Sequence, residues 1–124
     1  MAERRFALTA ADESIGDQLV GWGKVALLES RGRTTGRRAR AAVGFVAGSD
    51  DALFIAAGSE SSDWALNLRA DGRCRVTIGD EATDYLAREV EDADRSNALG
   101  ALILKYGTPA ERLGHGPVFR LDRQ

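Results

Sequence analysis

Residues 25–47 read VALLES-RGRTTGRRAR-AAVGFVA, two short apolar runs on either side of a segment with no hydrophobic period. The runs, Val25 to Ser30 and Ala41 to Ala47, have the length and composition of strands. The stretch from Arg31 to Arg40 carries two glycines and five arginines and is a loop or hairpin connection. Gly48-Ser49-Asp50-Asp51 then signals a turn, and Leu53 to Ala57 (LFIAA) forms a hairpin with the strand before it.

Further along, Asp63 opens a short helical stretch with Trp64, Leu66, Asn67 and Leu68, which Asp71-Gly72 stops. Arg73 to Ile78 alternates charged and apolar residues, as a half-exposed strand does, and Thr83 to Val90 is its hairpin partner across 79–81. Ala93 to Tyr106 sets Leu99, Leu102, Ile103 and Tyr106 on one helical face, and Gly107 with Pro109 ends it. Val118 to Leu121 is a last strand. Upstream, Ile15, Leu19, Val20 and Trp22 predict a short helix over 12–23, behind a peripheral segment 1–10. Six short strands joined mainly by hairpins favour an antiparallel sheet that closes into a barrel, because parallel strands need longer crossovers. The 124 residues suit one domain, with no repeat or linker in view.

Composition narrows the function. The chain is 44% hydrophobic and 29% charged, ordinary for a globular protein, with a formal net charge of −2. Such a balance argues against a general nucleic-acid or membrane-surface binder. Of 17 basic residues only Lys24 and Lys105 are lysine, and Arg31, Arg33, Arg37, Arg38 and Arg40 crowd into one segment. An acidic protein with one concentrated basic site has the pattern of a local anion pocket. Arginine forks make paired bonds to phosphate or carboxylate, and Thr34, Thr35 and the backbone at Gly32 and Gly36 add donors. Like charges this close cost about 1 kcal/mol per pair at 4 Å in water, a cost that a multiply charged anion removes. No Gly-Lys-Ser/Thr follows at Walker spacing. A solvated basic turn on a barrel rim, or a backbone grip on nucleic acid, are the alternatives, the second weakened by 6% aromatic content.

Other chemistry finds little support. One histidine, His115, rules out a His-His metal site, and no carboxylate spacing suggests a metal. Cys74 is the one cysteine and reads as a small buried side chain rather than a nucleophile. Ser59, Ser61 and Ser62 lack a histidine at triad-like spacing. Tyr106 is a candidate proton donor to a reduced substrate, or an anchor of its helix on the barrel. With no signal-peptide-like start and no run of 18 apolar residues, a cytoplasmic protein without an integral membrane segment is expected.

Three motifs in order then carry a resemblance. They are the strand leading into Gly32-Arg33-Thr34-Thr35-Gly36-Arg37-Arg38-Ala39-Arg40, the helix Trp64-Ala65-Leu66-Asn67-Leu68 with the strand Arg73-Cys74-Arg75-Val76 behind it, and the closing Gly116-Pro117-Val118-Phe119-Arg120-Leu121. From about residue 25 to the end, the chain resembles the deazaflavin-dependent nitroreductase-like oxidoreductases of the flavin-binding split-barrel superfamily. The resemblance implies a mainly β fold, a split β-barrel of about six antiparallel strands with two to three short helices. It also implies coenzyme F420, an 8-hydroxy-5-deazaflavin with a lactyl-polyglutamate tail, as hydride carrier. Its phosphate and tail would rest on Arg33, Thr35, Arg37 and Arg40, with Thr34 and Gly36 in the same loop. Ala41, Ala42 and Val43, and the loop Ala57-Gly58-Ser59, would border the ring, with Trp64 and Asn67 beside it. The reaction implied is hydride transfer to an electron-poor acceptor such as a quinone, enone or nitro compound. An FMN-binding split barrel and a non-enzymatic anion-binding barrel are the competing readings. Gly58-Ser59-Glu60 stands where many members carry a lysine, and Ala42 where proline is frequent. Flavin-binding split barrels often dimerise around the cofactor while some deazaflavin members are monomers, and a homodimer is the expectation here.

Overall fold

The computed structural model describes residues 23–107 and 115–124. The helix expected over 12–23 lies outside them but for its last residue. Seven strands and two helices follow in order: β1 (Ala26–Arg31), β2 (Arg38–Val43), β3 (Phe45–Ala47), β4 (Leu53–Ala56), α1 (Asp63–Ala70), β5 (Arg73–Ile78), β6 (Glu81–Val90), α2 (Asp92–Tyr106) and β7 (Val118–Arg123). Among the described residues the seven strands form one antiparallel sheet in the order β2-β1-β5-β6-β7-β4-β3.

The two edges of this sheet, β2 and β3, are separated in the chain by one residue, Gly44. A sheet whose opposite edges are consecutive must curl on itself, and this connectivity makes the barrel. Gly44 also explains the strand count. The strand expected over 41–47 is two strands, because the chain turns a corner at the glycine, where a Cβ would stand 3.1 Å from the Tyr106 ring. The hairpin signal at 48–51 is a tight turn in which Asp50 (φ 56°) and Asp51 (φ 62°) take the left-handed conformation and the Ala52 amide donates to the Ser49 carbonyl at 3.0 Å.

Strand periodicity divides the apolar residues between two cores. Ala26 and Leu28 of β1, Cys74 and Val76 of β5, Leu53 and Ile55 of β4, and Phe119 and Leu121 of β7 point into the barrel. Helix α1 plugs it with Ala65 and Leu68, while Trp64 stacks at a tilt on Phe119, ring centres 5.9 Å apart. Outside, Ala98 and Leu102 of α2 close over Val46, Ala56, Val90 and Val118. Strands β4 and β7 are therefore covered on both faces, which is why LFIA and VF read as continuous rather than alternating runs. Each fully buried Leu, Ile or Phe in these cores contributes about 1.5–3 kcal/mol.

Candidate anion-binding loop at the β1–β2 hairpin

The segment 32–37 is a compact hairpin tip. The Gly32 amide donates to the Arg37 carbonyl at 2.7 Å and the Gly36 amide to the Gly32 carbonyl at 2.8 Å. Gly36 then takes the left-handed conformation at φ 74°, where glycine carries no steric cost. The Thr35 hydroxyl accepts the Arg37 amide at 3.2 Å, closing a local turn from within. Arg31 belongs to β1 and Arg38 to Arg40 to β2, so the irregular loop is shorter than the sequence alone suggests.

The five arginines do different work. Arg31 lies 3.7 Å from Asp71, and Arg38 lies 3.7 Å from Glu29 on the neighbouring strand. Arg33 is gripped by α1: its amide donates to Asn67 Oδ1 at 3.1 Å, its Nη1 to the same oxygen at 2.8 Å, and its Nη2 sits 3.5 Å from the Asp63 carboxylate. Arg37 and Arg40 are exposed and pair with no carboxylate among the described residues. Two of the five guanidinium charges are thus unspent at the loop surface.

Alternation sorts the rest of β2. Ala41 pairs with Leu28 and packs against the inner core, while exposed Ala42 shares the outer face with Arg38 and Arg40. Neighbouring positions on one strand point opposite ways, so Ala41 and Ala42 cannot present side chains to the same face. Beyond the sheet, Ala57 is buried and Gly58 and Ser59 are exposed. The Ala57 amide donates to the Pro117 carbonyl at 2.9 Å, and Ser59 Oγ accepts the Ser61 amide at 3.3 Å. Trp64 fills the barrel end and is half-buried. Among the described residues, the hairpin tip is thus tied to Asn67 of α1 through Arg33, while Ala41, Ala57 and Trp64 come together in the inner core.

Tyr106 stands at the Gly44 corner. Its hydroxyl accepts the Phe45 amide at 3.1 Å and donates to the Lys24 carbonyl at 2.7 Å, and burial raises its pKa. Beside it Lys105 donates to the Phe45 carbonyl at 2.7 Å and covers the Phe45 ring at 3.4 Å, burial lowering its pKa.

A cavity of about 530 Å³ opens on the arginine-rich face next to the hairpin and includes Gly36, Arg31, Arg38, Arg73 and Arg75. Every one of these four arginines already faces a carboxylate: Arg31 and Arg73 face Asp71, Arg38 faces Glu29, and Arg75 faces Asp84 at 2.8 Å. The bonds from Arg73 pull the Asp71 carboxyl down to about 2. Three carboxylates answer the four arginines of the cavity, Asp71 serving two of them, whereas Arg37 and Arg40 at the loop tip face none among the described residues.

Asp63 and Asp71 were missed by sequence reasoning as partners of the basic segment. They appeared only as the start and the stop of a helix, and no local signal ties them to residues 30 and 40 positions earlier. A further tie, Arg69 donating to Glu89 at 2.8 and 2.9 Å and to Glu60 at 3.2 Å, bolts α1 to β6 and to the loop after β4. Among the described residues no group of three or more His, Cys, Asp or Glu side chains could hold a metal, and no helix is long and apolar enough to cross a membrane.

The family model for F420H(2)-dependent quinone reductase matches residues 3–110. Among solved structures, an F420-H2 dependent reductase (FDR-A) is similar at 22% identity and a TM-score of 0.69, over 80% of this chain and 94% of that one. The haem storage protein HutZ from Vibrio cholerae is similar at 18% identity and a TM-score of 0.71, over 94% and 90%. A domain-swapped dimer is similar at 18% and 0.67, over 94% and 100%. At these identities the likeness establishes the fold. No curated protein matches the chain.

Proposed function

Because this chain belongs to the F420H(2)-dependent quinone reductase family, we propose that it transfers a hydride from reduced coenzyme F420 to a quinone or a similarly electron-poor enone or nitro compound. F420 is the cofactor of that family, and oxidoreduction is its chemistry. The observation that carries the placement of the cofactor is the unequal use of the arginines. Arg37 and Arg40 face no carboxylate among the described residues, whereas Arg31, Arg33 and Arg38 do.

The residues fit the group. A phosphate and a run of carboxylates need forked cationic donors, hydroxyls and approachable backbone amides. The tip offers the Arg37 and Arg40 forks, the Thr34 and Thr35 hydroxyls, and at Gly36 open space where a side chain would stand. When bound, F420 supplies a two-electron hydride carrier. In this proposal the chain holds its anionic end at Arg37 and Arg40, with Arg33 completing the loop. The ring would be bordered by the backbone of the β2 edge at Ala41 and Ala42 and by Ala57, Gly58 and Ser59, with Trp64 packed nearby and Asn67 acting through Arg33. Gly58 has nothing within 4 Å of where a Cβ would be, which leaves room for a flat ring or an acceptor. The protein's part is orientation and charge complementarity. Ser59 is exposed, so solvent at that side of the site could supply the proton that an acceptor needs with the hydride.

A homodimer belongs to this proposal, supported by the structural likeness to a domain-swapped dimer; sedimentation at micromolar concentration with and without cofactor tests it. The function is tested by mixing the protein with reduced F420 and a quinone, and following the return of the oxidised deazaflavin absorbance. Turnover above the protein-free rate supports the proposal. Tight F420 binding with no turnover on quinones, enones or nitro compounds would leave a cofactor-binding barrel instead.

A further inference from the structure

Asn67 of α1 is 4% exposed, and its carboxamide oxygen is turned to the hairpin tip 34 residues earlier. That single oxygen accepts both the backbone amide of Arg33 at 3.1 Å and the guanidinium Nη1 at 2.8 Å. From the first turn of α1, Asp63 adds its carbonyl at 3.4 Å and its carboxylate at 3.5 Å to the same guanidinium. Arg33 is therefore engaged before any ligand arrives, and its partners come from a helix that is itself fixed to β6 by Arg69 and Glu89.

We propose that Asn67 is a positioning residue: it sets the conformation of the anion-binding loop by holding Arg33, and acts on the cofactor through that arginine rather than by touching it. The physical need is plain. A tip that carries several like charges tends to open, and within it only bonds from Gly32, Gly36 and Arg37 resist. A charge-assisted bond to a buried, immobile acceptor ties the tip to the barrel. Arg37 and Arg40 are then presented from a loop ordered before binding, which lowers the ordering cost of capturing an anion. An amide suits the task, because it accepts both bonds without setting a second negative charge beside that of Asp63. This inference rests on the reading of the loop as the F420 anion site, and the tests separate the two.

The first test needs no cofactor. Amide hydrogen exchange of the free protein should find the Arg33 amide protected, and Asn67→Ala should speed its exchange by about tenfold or more with β1 unchanged. An Arg33 amide equally protected in both proteins would overturn the proposal. The second is a double-mutant cycle in F420 binding with Arg33→Ala, Asn67→Ala and the pair. Asn67→Ala alone should weaken binding by about five- to tenfold and add nothing once Arg33 is gone. Equal losses in both backgrounds would mean that Asn67 contacts the cofactor itself, and would sink the proposal. Should Asn67→Ala not fold, Asn67→Ser, which keeps a polar atom at the buried position, takes its place in both tests. If the wild-type protein binds no F420, the functional reading fails, while the exchange experiment still decides whether Asn67 positions the loop.

Discussion

Gly116 lies so close against Ala57 that a Cβ on the glycine would overlap the Ala57 carbonyl oxygen and stand 2.8 Å from the Ser59 nitrogen. The loop 57–59 and the entry to β7 are thereby locked backbone to backbone, with the Ala57 amide donating to the Pro117 carbonyl. Arg95 adds a bond from Nη2 to the Gly116 carbonyl at 2.9 Å.

Gly116→Ala must therefore move backbone rather than a side-chain tip, and we expect a loss of about 1–3 kcal/mol in chemical denaturation. Gly58→Ala, between the two locked residues but with open space where its own side chain would stand, should change stability by less than about 0.5 kcal/mol. If Gly58 borders the cofactor, the same substitution lowers F420 affinity all the same.

Tyr106→Phe removes the bonds to the Phe45 amide and the Lys24 carbonyl at the corner where the barrel closes. The expected cost is about 0.5–1.5 kcal/mol, because the Phe45 amide is part-buried and the Lys24 carbonyl is open to water. The rate of acceptor reduction by the folded variant should stay within about twofold of wild type, as for a group outside the chemistry. A rate loss without a stability loss would instead identify the hydroxyl as a proton donor.

Cys74 is 8% exposed, its thiol lies 3.7 Å from the Tyr85 carbonyl, and burial pushes its pKa up to about 12, with Asp84 and Asp71 adding to the rise. Thiolate is the reactive form. A disulfide reagent at pH 8 should leave the native protein unlabelled and modify one thiol per chain after unfolding. Rapid labelling of the native state would contradict the buried placement.

Asp71 joins the end of β1 to the start of β5 through Arg31 and Arg73. Its carboxyl is lowered from 3.8 to about 2, mainly by the Arg73 bonds. A depressed carboxylate stabilises the fold above its unfolded value and loses that contribution as pH falls through the folded one. Asp71→Asn should accordingly be less stable than wild type at pH 7, and the gap should close between pH 4 and pH 2.

Much of this was legible in the sequence. The hairpin strands, the turn at 48–51, both described helices and the barrel follow from period and punctuation, which are local. Gly44 was not legible as a corner, because AAVGFVA reads as one strand until Tyr106, some 60 residues later, fills the glycine's empty side. The basic segment was legible as an anion-binding candidate but not in its division of labour. Counting arginines gives charge, whereas the partners that spend it, Asp63, Asn67 and Asp71, arrive only when α1 docks. Alternation along β2 could have separated Ala41 from Ala42 in advance, had the strand's start at Arg38 been visible in its polar sequence.

The most direct test of the account is a fluorescence titration of the protein with oxidised F420 and, separately, FMN, repeated with Arg37→Ala and Arg40→Ala. The account predicts micromolar F420 binding that each substitution weakens by about 1–3 kcal/mol, with unfolding temperatures unchanged because neither guanidinium holds the fold. FMN bound in preference to F420, or F420 affinity indifferent to both arginines, would contradict it.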